Sequence, residues 1–293
     1  MARGLLRAPG FAPFVLLQAL GALGDNVYKN ALAVAVVLHA GAAGPVLVAA
    51  AGGLFILPFL LVSARAGALA DRLDKARLVR LAKIAELALM AAGSAALISA
   101  SDAASLAVLF GLGVQAAFFG PVKYAIVPEL VGAEDIASAT GWIEAATFLA
   151  ILIGSIVGPA LMAEAAGGWL VGCVVISLAG VGLVAAFWLP PLTAAAPGVV
   201  CDRHFGREIA TLLGQARHTP AVWAAILGLS WFWAVGAVFV TEFPTLAIPL
   251  SRHGARLVAT MLAAFALGVG AGSVATGRLA RGRSRLAACR TEV

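Results

Sequence analysis

FAPFVLLQALGALGDNVYKNALAVAVVL, Phe11 to Leu38, is one apolar stretch with Asp25, Asn26 and Lys29 set inside it. A membrane-crossing helix needs about 20 mostly apolar residues, and this stretch supplies them. Ionisable side chains at that depth are costly and face a bundle interior or a water-filled path. The stretch therefore predicts a membrane helix with a polar face, and a protein defined by what that face binds or moves. Asp25 and Lys29 stand four residues apart, on the same side of a helix. They read either as a self-neutralising pair that eases insertion or as a site for a polar ligand. Asn26 adds donors and an acceptor beside them and favours the ligand.

Of the 293 residues, 62% are hydrophobic and 12% charged, well below the ~25% charged content of soluble domains. A soluble class is thereby excluded. The net charge is +6, but Lys and Arg sit in short segments between apolar runs. That is the positive-inside pattern of membrane proteins, so no nucleic-acid partner is expected. Cys173, Cys201 and Cys289 are far apart and lie in no metal-binding spacing. No disulfide or metal is expected, and Cys173 reads as a small packing residue within an apolar run. His39, His204, His218 and His253 are scattered, with no nucleophile set and no phosphate-binding loop beside them. The expectation is a non-enzyme without cofactors. Arg3 and Arg7 before an apolar run imitate a signal peptide, but the charges inside that run and the spans that follow point to an uncleaved first helix.

Eight apolar spans are read, at 11–38, 45–66, 78–100, 104–126, 136–163, 168–190, 221–248 and 255–277. They define an all-α membrane protein built as a helix bundle. Arg3 and Arg7, the group Arg65 to Lys83, then Arg203, Arg207 and Arg217, and the basic tail from Arg278 all fall on one side. Only Arg252 and Arg256 fall on the other, so both termini are expected to be cytoplasmic. The proline-containing segment 191–220 separates a six-helix half, 1–190, from a second part, 221–293. Residues 204–217 within it read as an amphipathic surface helix. Gly67-Ala-Leu-Ala-Asp71-Arg72 and Gly277-Arg-Leu-Ala280-Arg281 occupy matching places after spans two and eight. Parallel halves of this kind build one large transporter class.

GPVKYAIVPEL, Gly120 to Leu130, places Lys123 after a Gly-Pro break that frees carbonyls toward a cavity. The plainer reading is a lysine snorkelling at the membrane edge, with Glu129 at the surface or in a latch. Glu144, with Thr147 nearby, reads as a proton carrier, a partner for Lys123, or a helix-start residue. Gly154-Ser155-Ile-Val-Gly158 is a small-residue packing face. Glu242 precedes Pro244 in span seven, which the repeat equates with span one. It either shares a cavity with Asp25 or lies at the outer interface. Trp231 and Trp233 of the same span fit an interfacial or cavity-lining cluster.

GALADRLDKARL, Gly67 to Leu78, resembles the signature loop of the major facilitator superfamily, Gly-x-Leu-Ala-Asp-Arg-x-Gly-Arg-Lys, with Asp74 where that pattern has Gly. The resemblance implies a conformational latch made by Gly67, Asp71, Arg72, Lys75 and Arg77. A carboxylate there meets the positive end of a helix dipole. GALGDNVYKNAL, GPVKYAIVPEL, GWIEAATFLAILIGSIVG and SWFWAVGAVFVTEFP extend the likeness over nearly all of the chain. Together they resemble the lysophospholipid transporter family, and most of all the carrier portion fused to acylglycerophosphoethanolamine acyltransferase domains.

That family implies movement of lysophosphatidylethanolamine from the outer to the inner leaflet of a bacterial inner membrane. A cytoplasmic acyltransferase is then the implied partner. Asp25 would meet the amine and Lys123 the phosphate, with Asn26, Lys29, Glu144 and Glu242 as further contacts. The acyl tail would lie in a lipid-facing gap lined by Ala, Leu and Phe. A basic residue that one branch carries midway along span seven is absent near Val240, which shifts the phosphate contact toward Lys29 or Lys123. The family has about twelve spans, so a truncated or frame-shifted carrier is expected, with an inactive truncated carrier as one alternative and self-association that completes the cavity as another. Two other readings compete. One is a proton-coupled exporter of small amphiphiles, with Asp25 or Glu144 titrating. The other is a non-transporting membrane scaffold.

Overall fold

A computed structural model describes residues 8–40, 43–192 and 205–250, together with short helical pieces between 257 and 275. The described residues form helices and turns and no strand. The chain falls into two compact units, Met1–Val199 with Val269–Val293, and Val200–Gly268.

The first unit holds α1 (Phe11–Ala40), α2 (Gly44–Arg72), α3 (Lys75–Ile98), α4 (Asp102–Ala125), α5 (Ile136–Met162) and α6 (Gly167–Phe187). A one-turn helix, Val127–Leu130, and a 3₁₀ turn, Ala133–Asp135, join α4 to α5. The second unit holds α7 (Phe205–His218) and α8 (Pro220–Leu250). The eighth apolar span falls mostly outside the described residues. Among the described residues, α3 to α6 and the segment Val46–Ser63 of α2, five helices in all, are long and apolar enough to cross a membrane. At 30 residues α1 has the length, but Gln18, Asp25, Asn26, Lys29 and Asn30 dilute its apolar character.

Three expectations are corrected here. The basic segment after span two is not a loop. α2 runs to Arg72 and α3 begins at Lys75, so only Leu73 and Asp74 connect them. Asp74 explains the tight joint, because its Oδ1 accepts from Ala76 N at 2.8 Å and Arg77 N at 3.4 Å, capping α3. An N-cap carboxylate of this kind is worth about 1 kcal/mol. Second, α4 passes through Pro121 and ends at Ala125, so the Gly-Pro pair makes no break. Third, Cys173 is exposed rather than packed inside.

Within the first unit, α1 lies against α5 and α6, α2 against α4, and α3 against α4 and α6. Close approach of α5 to α1 depends on small residues. A Cβ on Gly158 would sit 2.3 Å from Val27 O, and one on Gly154 would sit 2.8 Å from Leu23 O. The burial pattern inverts that of a soluble protein. Leu60, Val184 and Phe187 are exposed, whereas Gln18, Lys75, Lys83, Glu86, Ser105 and Gln115 are buried. Lipid is as apolar as leucine, so nothing drives the aliphatic residues inward, while polar groups gain partners only inside.

Candidate functional site

Two polar clusters lie inside the first unit. The first joins α1, α4 and α5. Lys123 Nζ donates to Glu144 Oε1 at 3.0 Å and to Thr147 Oγ1 at 3.3 Å. Tyr124 donates its hydroxyl to Glu144 Oε1 at 2.6 Å. Thr147 contacts Gln18 Oε1 at 3.1 Å, and Gln18 Nε2 donates to Ile143 O at 3.0 Å. The side chains of Lys123 and Glu144 are 12% and 15% exposed, so this pair is less enclosed than the one in the second cluster. Opposite charges held together at low dielectric attract strongly but lose hydration in return. A zwitterionic ligand could trade partners with such a pair and leave neither charge bare.

The second cluster joins α1, α3, α4 and α6. Lys83 Nζ donates to Glu86 Oε2 at 2.7 Å, with the two side chains only 1% and 4% exposed. Gln115 Nε2 reaches the same Glu86 oxygen at 3.3 Å. Lys83 also lies 5.5 Å from the Phe119 ring centroid. Room for it comes from α1, since a Cβ on Gly21 would stand 2.6 Å from Lys83 Nζ. One turn along α1, Asp25 lies within electrostatic range of Lys83, Glu86 and Lys29. Its Oδ1 is buried and has no hydrogen-bond partner among the described residues.

The structure thus brings Lys123 and Glu144 together and sets Asp25 within electrostatic range of Lys83, Glu86 and Lys29. No hydrogen bond or ion pair joins Asp25 to Lys29 among the described residues. Lys29 instead lies 5.6 Å from the Phe55 ring centroid. Asn26 Nδ2 donates back to Ala22 O at 2.8 Å. Glu242 lies in α8, but its side chain is outside the described residues.

Among the residues expected to form the latch, Lys75 is buried and pairs with Glu129 of the one-turn helix. Arg72 and Arg77 are exposed, Gly67 approaches no neighbour within 4 Å of a built Cβ, and the Asp71 side chain is outside the described residues. Arg80 donates to Ala186 O at 3.3 Å and Leu189 O at 2.9 Å, binding α3 to the C-terminal end of α6. At the opposite end, His39 and Asp102 meet at 3.0 Å. Lys83, read from sequence as a loop charge, is therefore a core residue, as is Lys75. Sequence reasoning also passed over Gln18, Glu86, Tyr124 and Gln115. The signal was present: Gln18 and Gln115 interrupt apolar runs, and Lys83 and Glu86 stand three apart on one helix face.

A bundle of apolar helices with charged pairs between and within them is the architecture of a multi-pass membrane protein. The family profile of the Major Facilitator Superfamily matches residues 14–290, and the chain belongs to that superfamily. Among curated relatives, it is 26% identical over 282 residues to the lysophospholipid transporter LplT of Serratia proteamaculans (strain 568), covering 89% of this chain and 64% of the relative. It is 29% identical over 241 residues to LplT of Cronobacter sakazakii (strain ATCC BAA-894), covering 80% and 56%. It is 28% identical over 296 residues to LplT of Escherichia coli O1:K1 / APEC, covering 92% and 66%. The chain therefore spans a little over half to two thirds of the length of these relatives.

Proposed function

We propose that this chain is the carrier, or the N-terminal part of one, that moves lysophospholipids from the outer to the inner leaflet of a bacterial inner membrane. Lysophosphatidylethanolamine is the proposed substrate, handed on to a cytoplasmic acyltransferase. The observation that carries the proposal is the partly exposed Lys123–Glu144 pair bridging two helices of the bundle, in a chain whose curated relatives bear the name lysophospholipid transporter. Lys123 would take the phosphate and Glu144 the amine, with Asp25, Asn26 and Lys29 lining the path. Residues 1–190 and 221–293 would belong to two halves that rock against each other, with Asp71 and its basic neighbours as the latch and both termini in the cytoplasm.

The test is uptake and reacylation of labelled lysophosphatidylethanolamine in cells lacking their own carrier. The wild-type chain, Asp25→Asn and Lys123→Met are compared at equal membrane levels. Uptake by the wild type, lost in both variants, is the expected result. A well-inserted wild type that takes up none, both alone and joined to the C-terminal part of a lysophospholipid transporter, sinks the reading. One observation favours a second reading, a proton-coupled amphiphile exporter. The buried Asp25 Oδ1, which has no hydrogen-bond partner among the described residues, suits a carboxyl that carries a proton. Collapse of transport when the proton gradient is dissipated distinguishes it.

A further inference from the structure

A cavity of about 640 Å³ lies between α2, α3 and α4, well within the roughly 300–1,000 Å³ of small-molecule sites. Ala66, Leu69, Leu81, Ala85, Phe110 and Phe118 are among its walls, and among the described residues Gln115 is the one polar side chain that lines it. We propose that this cavity holds the acyl chain of a monoacyl amphiphile, and that Gln115 accepts a hydrogen bond from a free hydroxyl beside that chain. The proposal rests on the lysophospholipid reading and names the feature that would separate a lysophospholipid from a diacyl lipid.

The orientation of Gln115 is dictated from behind. Its Nε2 faces Ala82 O and Glu86 Oε2, each at 3.3 Å, and both are acceptors. The nitrogen must therefore point there and the oxygen away. Glu86 cannot turn to offer anything else, because Lys83 holds it at 2.7 Å. Both amide hydrogens are thus engaged, and among the described residues no donor reaches Oε1. An acceptor set in an apolar wall costs free energy unless a ligand supplies the donor.

A ligand that satisfies this wall needs one apolar chain and a donor close to its polar end. A lysophospholipid has both, since one glycerol oxygen bears the chain and its neighbour is a free hydroxyl. In a diacyl phospholipid that neighbour is esterified: the donor is gone and a second chain occupies its place. Gln115 lies about 12 Å from Lys123 along α4 at 1.5 Å per residue, whereas the free hydroxyl and the phosphate of a lysophospholipid sit on adjacent glycerol carbons. The cavity is therefore a second station that a lipid occupies when its phosphate is not on Lys123, and the two sites are separable by experiment.

The full chain, in nanodiscs, is photolabelled with lysophosphatidylethanolamine bearing a diazirine at the chain terminus, and the labelled peptides are identified. Competitors are lysophosphatidylethanolamine, its analogue lacking the free hydroxyl, and diacyl phosphatidylethanolamine. Expected is label on the α3 and α4 segments around Leu81 and Phe118, competed about tenfold better by the hydroxyl-bearing lipid than by the other two. Ala85 is exposed at the cavity, so Ala85→Trp fills the space without disturbing the core and should abolish the label. Gln115→Met should keep the label and lose the preference for the hydroxyl. Equal competition by the diacyl lipid, or a hydroxyl preference that persists in Gln115→Met, overturns the proposal. Competed label confined to the surroundings of Lys123 also overturns it and leaves the carrier reading standing. Absence of competed label anywhere removes both.

Discussion

Lys83–Glu86 and Lys123–Glu144 are the same chemistry in two settings. The first pair sits three residues apart on one helix, beneath Gly21 and Phe119, and is almost fully enclosed. The second bridges two helices and remains partly open. An enclosed pair has paid its desolvation once, on folding, and offers nothing to a ligand. An open pair between separate helices can be parted by a competing ion and can change when the helices move. Accessibility, and not the presence of charge, separates a staple from a site. Beside the enclosed pair Asp25 stands out, because among the described residues its buried Oδ1 lacks the partner that its neighbours have.

The largest effect should come from breaking the enclosed pair. Lys83→Met leaves Glu86 buried without its cation, and such losses cost about 3–5 kcal/mol. Folded yield and thermal stability in detergent should fall sharply, and Lys83→Met with Glu86→Leu should recover most of the loss. Recovery that fails in the double variant would mean the pair is more than a staple. Lys123→Met should instead leave stability nearly unchanged while lowering uptake about tenfold to a hundredfold. That is the effect of losing one charge-assisted hydrogen bond to a ligand, about 1.5–3 kcal/mol. If uptake is untouched, the open pair is not the site.

Gly158→Val tests the packing beneath both clusters. Its side chain would meet Val27 O, and overpacking of this kind costs about 1–3 kcal/mol, read as a lower melting temperature. Tyr124→Phe is the mildest. It removes the 2.6 Å bond to Glu144, a loss of about 0.5–1.5 kcal/mol, visible as a few-fold weaker uptake with stability preserved.

Much of the helical frame was legible. The spans read at 104–126, 136–163 and 168–190 became Asp102–Ala125, Ile136–Met162 and Gly167–Phe187. A run of apolar residues long enough to cross a bilayer has few alternatives to a helix. The amphipathic segment 204–217 likewise became Phe205–His218. The candidate site was legible in part. Lys123 and Glu144 drew notice because charges in apolar runs are rare. Lys83 did not, because it follows five other basic residues and was absorbed into a supposed loop. Gln18 and Gln115 were overlooked because a single amide in an apolar run carries no charge to attract attention.

The sequence by itself determined that the chain forms membrane helices, where most of them begin and end, and which superfamily it belongs to. Those properties follow from local apolar length and from short motifs, which no distant contact can reverse. Only the tertiary structure decided which charges meet. Gly21 opens space for Lys83, Glu86 turns Gln115 toward the cavity, and Thr147 links Gln18 to Lys123. Each depends on how one helix is rotated against another, and that rotation is set by the summed packing of small residues along the whole interface rather than by any residue that takes part in the site.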